Sequence, residues 1–297
     1  MFDIVGRRKW AYVVSAIIII PSILSLIFFR LQPGIDFSGG TIYELRFDAT
    51  PTTEEIKRIY LSLNLGEPLV QATGEGTVII RSKELGLEDK QAVRGALEEV
   101  NGQAEELRFE AVGPVIAREL TQRAILAVLV ASVGILVYIT WAFRHVPQPF
   151  RYGVCAICAL VHDVLIVLGV FSVLGFLVNK EIDSMFITAI LTAIGYSVHD
   201  TIVVFDRVRE NRSKYAYAPL PTVVNFSVNQ TIDRSLNTSI TLLITLFALY
   251  LFGGLAIKDF VLALLIGTAT GTYSSIFIAA SLLVDWDVYS QRRVEAT

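Results

Sequence analysis

The chain has 297 residues, of which 54% are hydrophobic and 18% charged, and its mean hydropathy is +0.59. Soluble domains average about 45–50% apolar and about 25% charged residues, so this composition argues against a water-soluble enzyme. The 25 basic and 28 acidic residues give a net charge of −3, which excludes the basic surface typical of nucleic-acid binding. The two cysteines are too few for a disulfide framework.

The apolar residues are concentrated in six segments, each close to the roughly 20 residues that a membrane helix needs. These segments cover residues 10–29, 124–143, 153–178, 186–205, 239–254 and 261–284. The first follows three basic residues, as a signal peptide would, but its apolar stretch exceeds the usual length of about 7–15 residues and no small-residue cleavage site follows. We therefore predict an uncleaved anchor and a bundle of six transmembrane helices.

Basic residues predict the orientation, because cytoplasmic loops are enriched in lysine and arginine. With the N-terminus inside, the two short outer loops carry only Lys180 and Lys258. The inner segments carry twelve basic residues, namely Arg7, Arg8, Lys9, Arg144, Arg151, Arg207, Arg209, Arg212, Lys214, Arg234, Arg292 and Arg293. The prediction is a multi-pass membrane protein with both termini on the inner side and residues 30–123 outside.

The long outer segment is predicted to fold as a small α+β domain. Tyr43, Leu45 and Phe47 alternate with polar residues, which is the period of a half-buried strand. Thr52 and Glu55 have the spacing of a helix capping box. Further strands are expected at residues 69–70, 78–81 and 107–112, and a second helix at residues 88–100, with a turn at residues 73–76 between two of the strands. This order, strand–helix–strand–strand–helix–strand, predicts a ferredoxin-like domain.

The predicted organisation thus has four parts. Residues 1–29 form the cytoplasmic N-terminus and first membrane helix, 30–123 the outer domain, 124–285 membrane helices two to six, and 286–297 a cytoplasmic tail. A helix that begins near Pro114 is expected to continue into the second span.

Two aspartates lie within predicted spans, where a charge is costly and is therefore a candidate for function. Asp163 lies about 15 Å into the third span, and Asp200 about 9 Å from the inner end of the fourth. A histidine precedes each of them, His162 and His199 respectively. The alternative interpretation is a polar contact that holds helices together.

Arg234 begins the fifth span on the inner side and is the expected partner of Asp200. A carboxylate beside an arginine stays ionised, whereas a carboxyl group released into an apolar site takes up a proton. The candidates for proton transport are therefore Asp200, Arg234, Asp163 and His199. For Arg234, the alternative is a side chain that extends to the membrane surface. The hydroxyl groups expected near these candidates belong to Thr192, Tyr196, Thr238, Thr241, Thr245, Thr268, Thr270, Thr272, Tyr273, Ser274 and Ser275.

Four short motifs have spacings that are known from packing contacts or from functional sites. Gly267 and Gly271 have the G-x-x-x-G spacing that allows close helix packing. Cys155 and Cys158, with His162 on the same helical face, lack a second pair of metal ligands. Ser197 and His199 are two residues apart on one helix and so do not face each other as a nucleophile and its base. The glycine-rich residues 36–40 lack the lysine of a phosphate loop. No cofactor is predicted.

Several of these segments resemble the SecF members of the SecD/SecF family. Residues 36–40, 193–211, 229–239 and 271–275 are similar to the motifs of that family, and the likeness extends over essentially the whole chain. The motif positions singled out are Asp36, Gly39, Gly40, Gly195, Asp206 and Arg207.

The resemblance implies a fold related to the resistance-nodulation-division transporters and the function of an auxiliary Sec translocase subunit, not an enzyme. It implies pairing with SecD, docking on the SecYEG channel, association with YajC and YidC, contact with unfolded polypeptide and membrane lipid, and the proton gradient as energy source. It places the transport aspartate on Asp200 and the arginine on Arg234, while His199 departs from the usual asparagine. The rival classes are a small-molecule or lipid exporter, for which the outer domain is small, and a structural scaffold.

Overall fold

The computed structural model describes residues 2–48, 51–73 and 76–295. Its helices and strands are, in chain order, α1 (Arg8–Phe28), α2 (Ile35–Ser38), β1 (Gly40–Phe47), α3 (Thr53–Ser62), β2 (Leu69–Thr73), β3 (Thr77–Ser82), α4 (Leu87–Asn101), β4 (Ala104–Val112), α5 (Pro114–Ala142), α6 (Pro149–Val178), α7 (Ser184–Lys214), α8 (Leu220–Phe252), α9 (Lys258–Tyr273) and α10 (Ala280–Glu295). A π-helical segment, Ser274–Ala279, joins α9 to α10. The chain divides into two compact units, one of Met1–Gln32 with Leu126–Thr297 and one of Pro33–Ile125.

Six helices in the described residues are long and apolar enough to cross a membrane, which confirms the predicted number. The second begins at Pro114, as expected, and runs to Ala142. The fifth begins at Leu220, well before the apolar segment at residue 239. The early part of α8 is amphipathic, with Val223, Val224 and Val228 buried, so a search for uniformly apolar segments misses it. Helix α10 continues to Glu295, through most of the segment predicted as a tail.

Helices α6, α7 and α9 form the centre of the membrane unit. In the most apolar stretch of each of these helices, half or more of the residues are buried, against 6% for α5. A Cβ atom on Gly267 would lie 2.5 Å from Cβ of Ala193, and one on Gly271 would lie 2.7 Å from Cβ of Ser197. Both distances are shorter than a carbon–carbon contact, so only glycine allows α7 and α9 this close approach. The predicted role of the G-x-x-x-G spacing is confirmed.

Ion pairs join helices at both ends of this bundle. At one end, Arg8 of α1 pairs with Asp285 of α10 at 2.6 Å, and the Tyr12 hydroxyl donates to the same carboxylate. At the other end, Lys180 pairs with Asp259. The beginning of α1 and the last helix therefore lie at the same end of the bundle, as an even number of spans requires.

The second unit contains a four-stranded antiparallel sheet in the order β2-β3-β1-β4. Helices α3 and α4 occur at the predicted places between strands, and Tyr43, Leu45 and Phe47 are buried in the core. The predicted capping box of Thr52 and Glu55 is confirmed, because each side chain bonds the other's backbone N–H. The turn predicted at residues 73–76 lies partly outside the described residues.

Gly39 and Gly40 connect α2 to β1 with φ angles of +73° and +124°, which side-chain-bearing residues rarely adopt. A Cβ atom on Gly40 would also lie 2.7 Å from the backbone oxygen of Ser82 on β3. The two glycines therefore allow the chain to turn into the sheet next to a neighbouring strand. Asp36 lies just before them, within α2.

Candidate functional site

Asp163 lies in the middle of the membrane unit, with 5% of its surface exposed. Its Oδ2 atom accepts hydrogen bonds from the hydroxyls of Ser197 on α7, at 2.6 Å, and Ser274, at 2.7 Å. Its Oδ1 atom lies 3.0 Å from Nδ1 of His162. Among the described residues, no lysine or arginine pairs with this carboxyl group. Buried carboxylates are normally compensated, so three hydrogen bonds here replace a counter-charge.

The π-helical segment carries two consecutive serines whose hydroxyl groups bond to different helices. Ser274 bonds Asp163 of α6, while Ser275 donates to the backbone oxygen of Ser197, at 2.9 Å, and shares a 2.7 Å hydrogen bond with Thr201. A π-helical turn bonds i to i+5 instead of i+4, which changes the direction of the side chains that follow it. Such turns are frequent at functional sites, and this one lies where three helices meet.

Asp200 lies on α7 with 4% of its surface exposed. The Ser235 side chain of α8 is the polar group beside its carboxyl. Neither Asp200 Oδ2 nor Ser235 Oγ, however, has a hydrogen-bond partner in the described part of the chain. An unpaired carboxyl oxygen within an apolar bundle is costly and is the feature of this site that calls for a functional explanation.

The expected ion pair between Asp200 and Arg234 is absent from the structure, in which both residues are described. Arg234 is exposed and lines a surface cavity together with Asp206 and Glu210. Successive residues of a helix point about 100° apart. Ser235 therefore occupies the side of α8 that faces Asp200, and Arg234 points away from it.

The remaining candidates lie at the bundle surface. His199 and Gly195 are exposed on α7, and a Cβ atom on Gly195 would have no neighbour within 4 Å. Asp206 forms an ion pair with Arg209 at 2.6 Å, and Arg207 bonds Gln230 of α8. The structure thus buries both Asp163 and Asp200 and leaves His199 and Arg234 exposed.

Six of the hydroxyl groups expected near Asp200 and Arg234 fall into two classes. Tyr196 and Thr272 both bond Ser239, which ties α7, α8 and α9 together. Exposed threonines bond instead to carbonyl groups of their own helix, as Thr192, Thr238, Thr241 and Thr245 do.

The side chains of the Ser197–His199 and Cys155–Cys158 motifs point in different directions within each motif. Ser197 is buried and bonds Asp163, whereas His199 is exposed, so the two point in different directions. Cys155 is buried and Cys158 exposed. No cluster of three or more metal-ligand side chains occurs within the described residues.

Ser15 and Ser235 are two site residues that no sequence pattern predicted. Ser15 bonds His162 from α1, 147 positions away in the chain, and Ser235 faces Asp200. Single serines are ordinary in membrane helices, so only the rotation and packing of the helices distinguish these two from the others.

A family model described as "Protein export membrane protein SecD/SecF, C-terminal" matches residues 92–288. The model of the SecD/SecF GG motif matches residues 24–51, which include Gly39 and Gly40. The first match covers α6 to α9 and with them both buried aspartates, Asp163 and Asp200.

Similar proteins and solved structures are also named SecF or SecDF. The protein translocase subunit SecF of Thermobaculum terrenum is 46% identical over 97% of this chain and 94% of its own length. SecDF of Bacillus subtilis is 35% identical over 96% of this chain and 38% of its own length. A crystal structure of SecDF from Thermus, described as a translocon-associated membrane protein, has a TM-score of 0.82 and 33% identity over 96% of this chain and 38% of that one. This chain therefore belongs to the SecD/SecF family of protein export membrane proteins.

Proposed function

We propose that this chain is an auxiliary subunit of the Sec translocase that acts with SecD. It uses the proton gradient across the bacterial inner membrane to promote export of unfolded polypeptides through the SecYEG channel, without a bound cofactor and without catalysing a covalent reaction. YajC and YidC are further proposed partners. The fused SecDF relatives support the pairing with SecD, because in them one polypeptide carries both names.

One observation carries the proposal, namely the buried Asp200 carboxyl group with its unpartnered oxygen. A group that binds and releases a proton must be stable enough in both forms for the cycle to proceed. Burial without a counter-charge favours the uncharged acid, and an approaching cation favours the carboxylate. A scaffold would gain nothing from retaining such a group.

Arg234 could neighbour the Asp200 carboxyl group in a second arrangement of α8. It is adjacent to Ser235, so a rotation of α8 by about 100° would bring the guanidinium to the position that Ser235 occupies. The observed arrangement then corresponds to the protonated carboxyl, and the rotated one to the ionised carboxyl paired with Arg234. Two helix arrangements with different proton affinity are what a gradient needs to drive motion.

The exposed sides of α7 and α8 suit a second membrane subunit. Thr192, Gly195 and His199 are exposed on α7, and Arg234 and Thr238 on α8. Polar groups facing lipid are unfavourable, so a polar protein partner is expected there. SecD is the proposed partner, and it would also enclose Arg234.

The second unit is proposed to be a ferredoxin-like domain on the outer side of the membrane. It would move with the helices that precede and follow it, and so transmit the change at Asp200 to the exported polypeptide.

The proposed function is tested by measuring export in vesicles that contain SecYEG, SecD and this chain, with and without a proton gradient. We expect the gradient to accelerate export only when this chain is present. Equal stimulation in its absence would contradict the proposal.

A single cysteine at Glu88 tests the topology. Glu88 is exposed on α4, and Cys155 and Cys158 would first be replaced by alanine. An impermeant maleimide added outside intact cells should label this site, whereas a cysteine at Ser213 near the end of α7 should react only after permeabilisation. The reverse pattern would show that the orientation is wrong.

His199→Asn should keep most of the export activity. The side chain is exposed and lies outside the buried hydrogen-bond network, and asparagine keeps a hydrogen-bonding group. The measurement is gradient-stimulated export. A loss as large as that caused by changing Asp200 would place His199 on the proton path instead.

A further inference from the structure

His162 is the centre of a hydrogen-bonded chain that the predicted mechanism does not use. Its Nδ1 atom lies 3.0 Å from Asp163 Oδ1, and its Nε2 atom 3.0 Å from Ser15 Oγ. Ser15 Oγ is 3.2 Å from the Tyr273 hydroxyl, which donates to the Ala11 oxygen at 2.7 Å. His162 and Asp163 are each 5% exposed, and Ser15 is 6% exposed.

The groups in this hydrogen-bonded series keep hydrogen-bond partners whether the His162 imidazole is neutral or protonated. When the imidazole is neutral, Nδ1–H donates to Asp163 and Ser15 donates to Nε2. When it is protonated, Nε2–H donates to Ser15, which turns its own hydrogen towards Tyr273. Because both states keep the buried groups paired, neither carries the cost of an unsatisfied donor or acceptor.

Tyr273 connects the chain to a cavity at the beginning of α1. This cavity has a volume of about 650 Å³, and its lining includes Asp3, Arg7, Trp10 and Tyr273. It lies at the end of the bundle where Arg8 pairs with Asp285. Water in the cavity would be one phenol group and one serine away from the imidazole.

We propose that His162 and Asp163 form a second proton-binding site, separate from Asp200, which Ser15 and Tyr273 connect to this cavity. The inference rests on the proposed function for the use made of the proton, but the site and its connection are properties of this chain alone. In the predicted orientation, the cavity lies at the cytoplasmic end of the bundle, so the pair would exchange its proton with that side.

The transfer moves one proton through three hydrogen bonds and requires no other reactant. The Ser15 hydroxyl proton passes to Nε2 as Ser15 receives the proton of Tyr273. A hydronium ion in the cavity then returns a proton to the Tyr273 oxygen and becomes water. For this step the Tyr273 hydroxyl must turn from the Ala11 oxygen to Ser15, a rotation about a single bond.

Few charged groups lie on the elements packed around this pair. Arg8 and Tyr12 of α1 are engaged by Asp285 of α10, and α7 contributes Asp200 and the exposed His199. The other titratable side chains on the adjoining turns are Cys155 and Cys158 of α6 and Tyr273, whose ring centroid is 6.0 Å from that of His162. A positive imidazole would thus have Asp163 as its directly bonded anion.

Ser15, His162 and Asp163 have the connectivity of a hydrolytic triad, but the surroundings do not suit a nucleophile. Ser15 lies within α1, where the backbone N–H groups are engaged in helical hydrogen bonds, so they cannot form an oxyanion hole. The serine is also buried, which excludes a substrate carbonyl from its oxygen.

A titration tests the site itself. The chain has three histidines, so ring-labelled ¹⁵N spectra of its complex with SecD in nanodiscs, with SecD unlabelled, should show three ring systems, assigned by single His→Gln variants. We expect the His162 ring signals to report the uptake of one proton when the pH of the sample is lowered. In Asp163→Asn, which removes the bonded carboxylate, this uptake should be lost. A wild-type His162 signal that does not change with pH would overturn the proposal.

A kinetic comparison tests the connection. Tyr273→Phe should leave the equilibrium titration of His162 in place but slow its protonation after a photochemical pH jump by on the order of 100-fold, as for loss of a proton-transfer group. Tyr196→Phe is the matched control, since Tyr196 bonds Ser239 and not a group of the hydrogen-bonded series around His162. Equal rates in the two variants would overturn the connection. Neither experiment involves export, so a failure here is distinct from a failure of the proposed function.

Discussion

Asp200→Asn should remove the stimulation of polypeptide export by a proton gradient while the chain still folds and binds SecD. A proton crossing 100 mV releases about 2.3 kcal/mol. Because about 1.4 kcal/mol corresponds to a factor of ten, one proton can bias a conformational step by about fiftyfold. Asparagine keeps the shape of the uncharged acid but cannot release a proton, so this entire bias should be lost.

The measurement compares export with and without a gradient for wild type, Asp200→Asn and a control. Asp287→Asn is a suitable control, because Asp287 is a carboxylate with 23% of its side chain exposed that lies 3.7 Å from Arg151 at the end of the bundle. The control should respond to the gradient as the wild type does. A wild-type response in Asp200→Asn would mean that Asp200 is a packing residue and that the proposed mechanism is wrong.

Asp200→Glu distinguishes the role of the titratable carboxyl group from that of the side-chain length. It retains a titratable group but lengthens the side chain in a buried position next to Ser235. Partial gradient stimulation is expected, and it would show that the exchange of the proton, and not the exact side chain, drives the cycle.

Gly271→Leu should destabilise the membrane unit by about 1–3 kcal/mol, the range found for overpacked interiors. The first added carbon would already lie 2.7 Å from Cβ of Ser197. Helices α7 and α9 would have to separate, and the hydrogen bonds from Ser197 and Ser274 to Asp163 would lengthen. Both the packing and the polar network should therefore weaken together.

Thermal unfolding of the purified protein measures this effect. Gly134→Leu on α5 is the matched control, because a Cβ atom there would have no neighbour within 4 Å and the position is exposed. Gly271→Ala should lie between the wild type and Gly271→Leu. If Gly271→Leu and Gly134→Leu unfold at the same temperature, the close contact does not limit stability.

The amino-acid sequence by itself predicted the local structure of both units. A span is recognisable because about 20 apolar residues are needed to cross the bilayer. Tyr43, Leu45 and Phe47 reveal a strand because alternate residues face the same side of a sheet. Thr52 and Glu55 reveal a helix start because the cap involves residues only three apart. Each of these signals depends on neighbours in the chain.

Only the tertiary structure decided what surrounds the buried carboxyl groups. Whether Ser235 or Arg234 faces Asp200 depends on the rotation of α8, and these two residues are adjacent in the sequence. The bond between Ser15 and His162 depends on how α1 packs on α6. A π-helical turn after Tyr273 directs Ser274 and Ser275 to different helices, and no local pattern announces it. Hydropathy places a helix in the membrane, but it does not set the rotation of that helix, since interhelical packing determines which side chains meet.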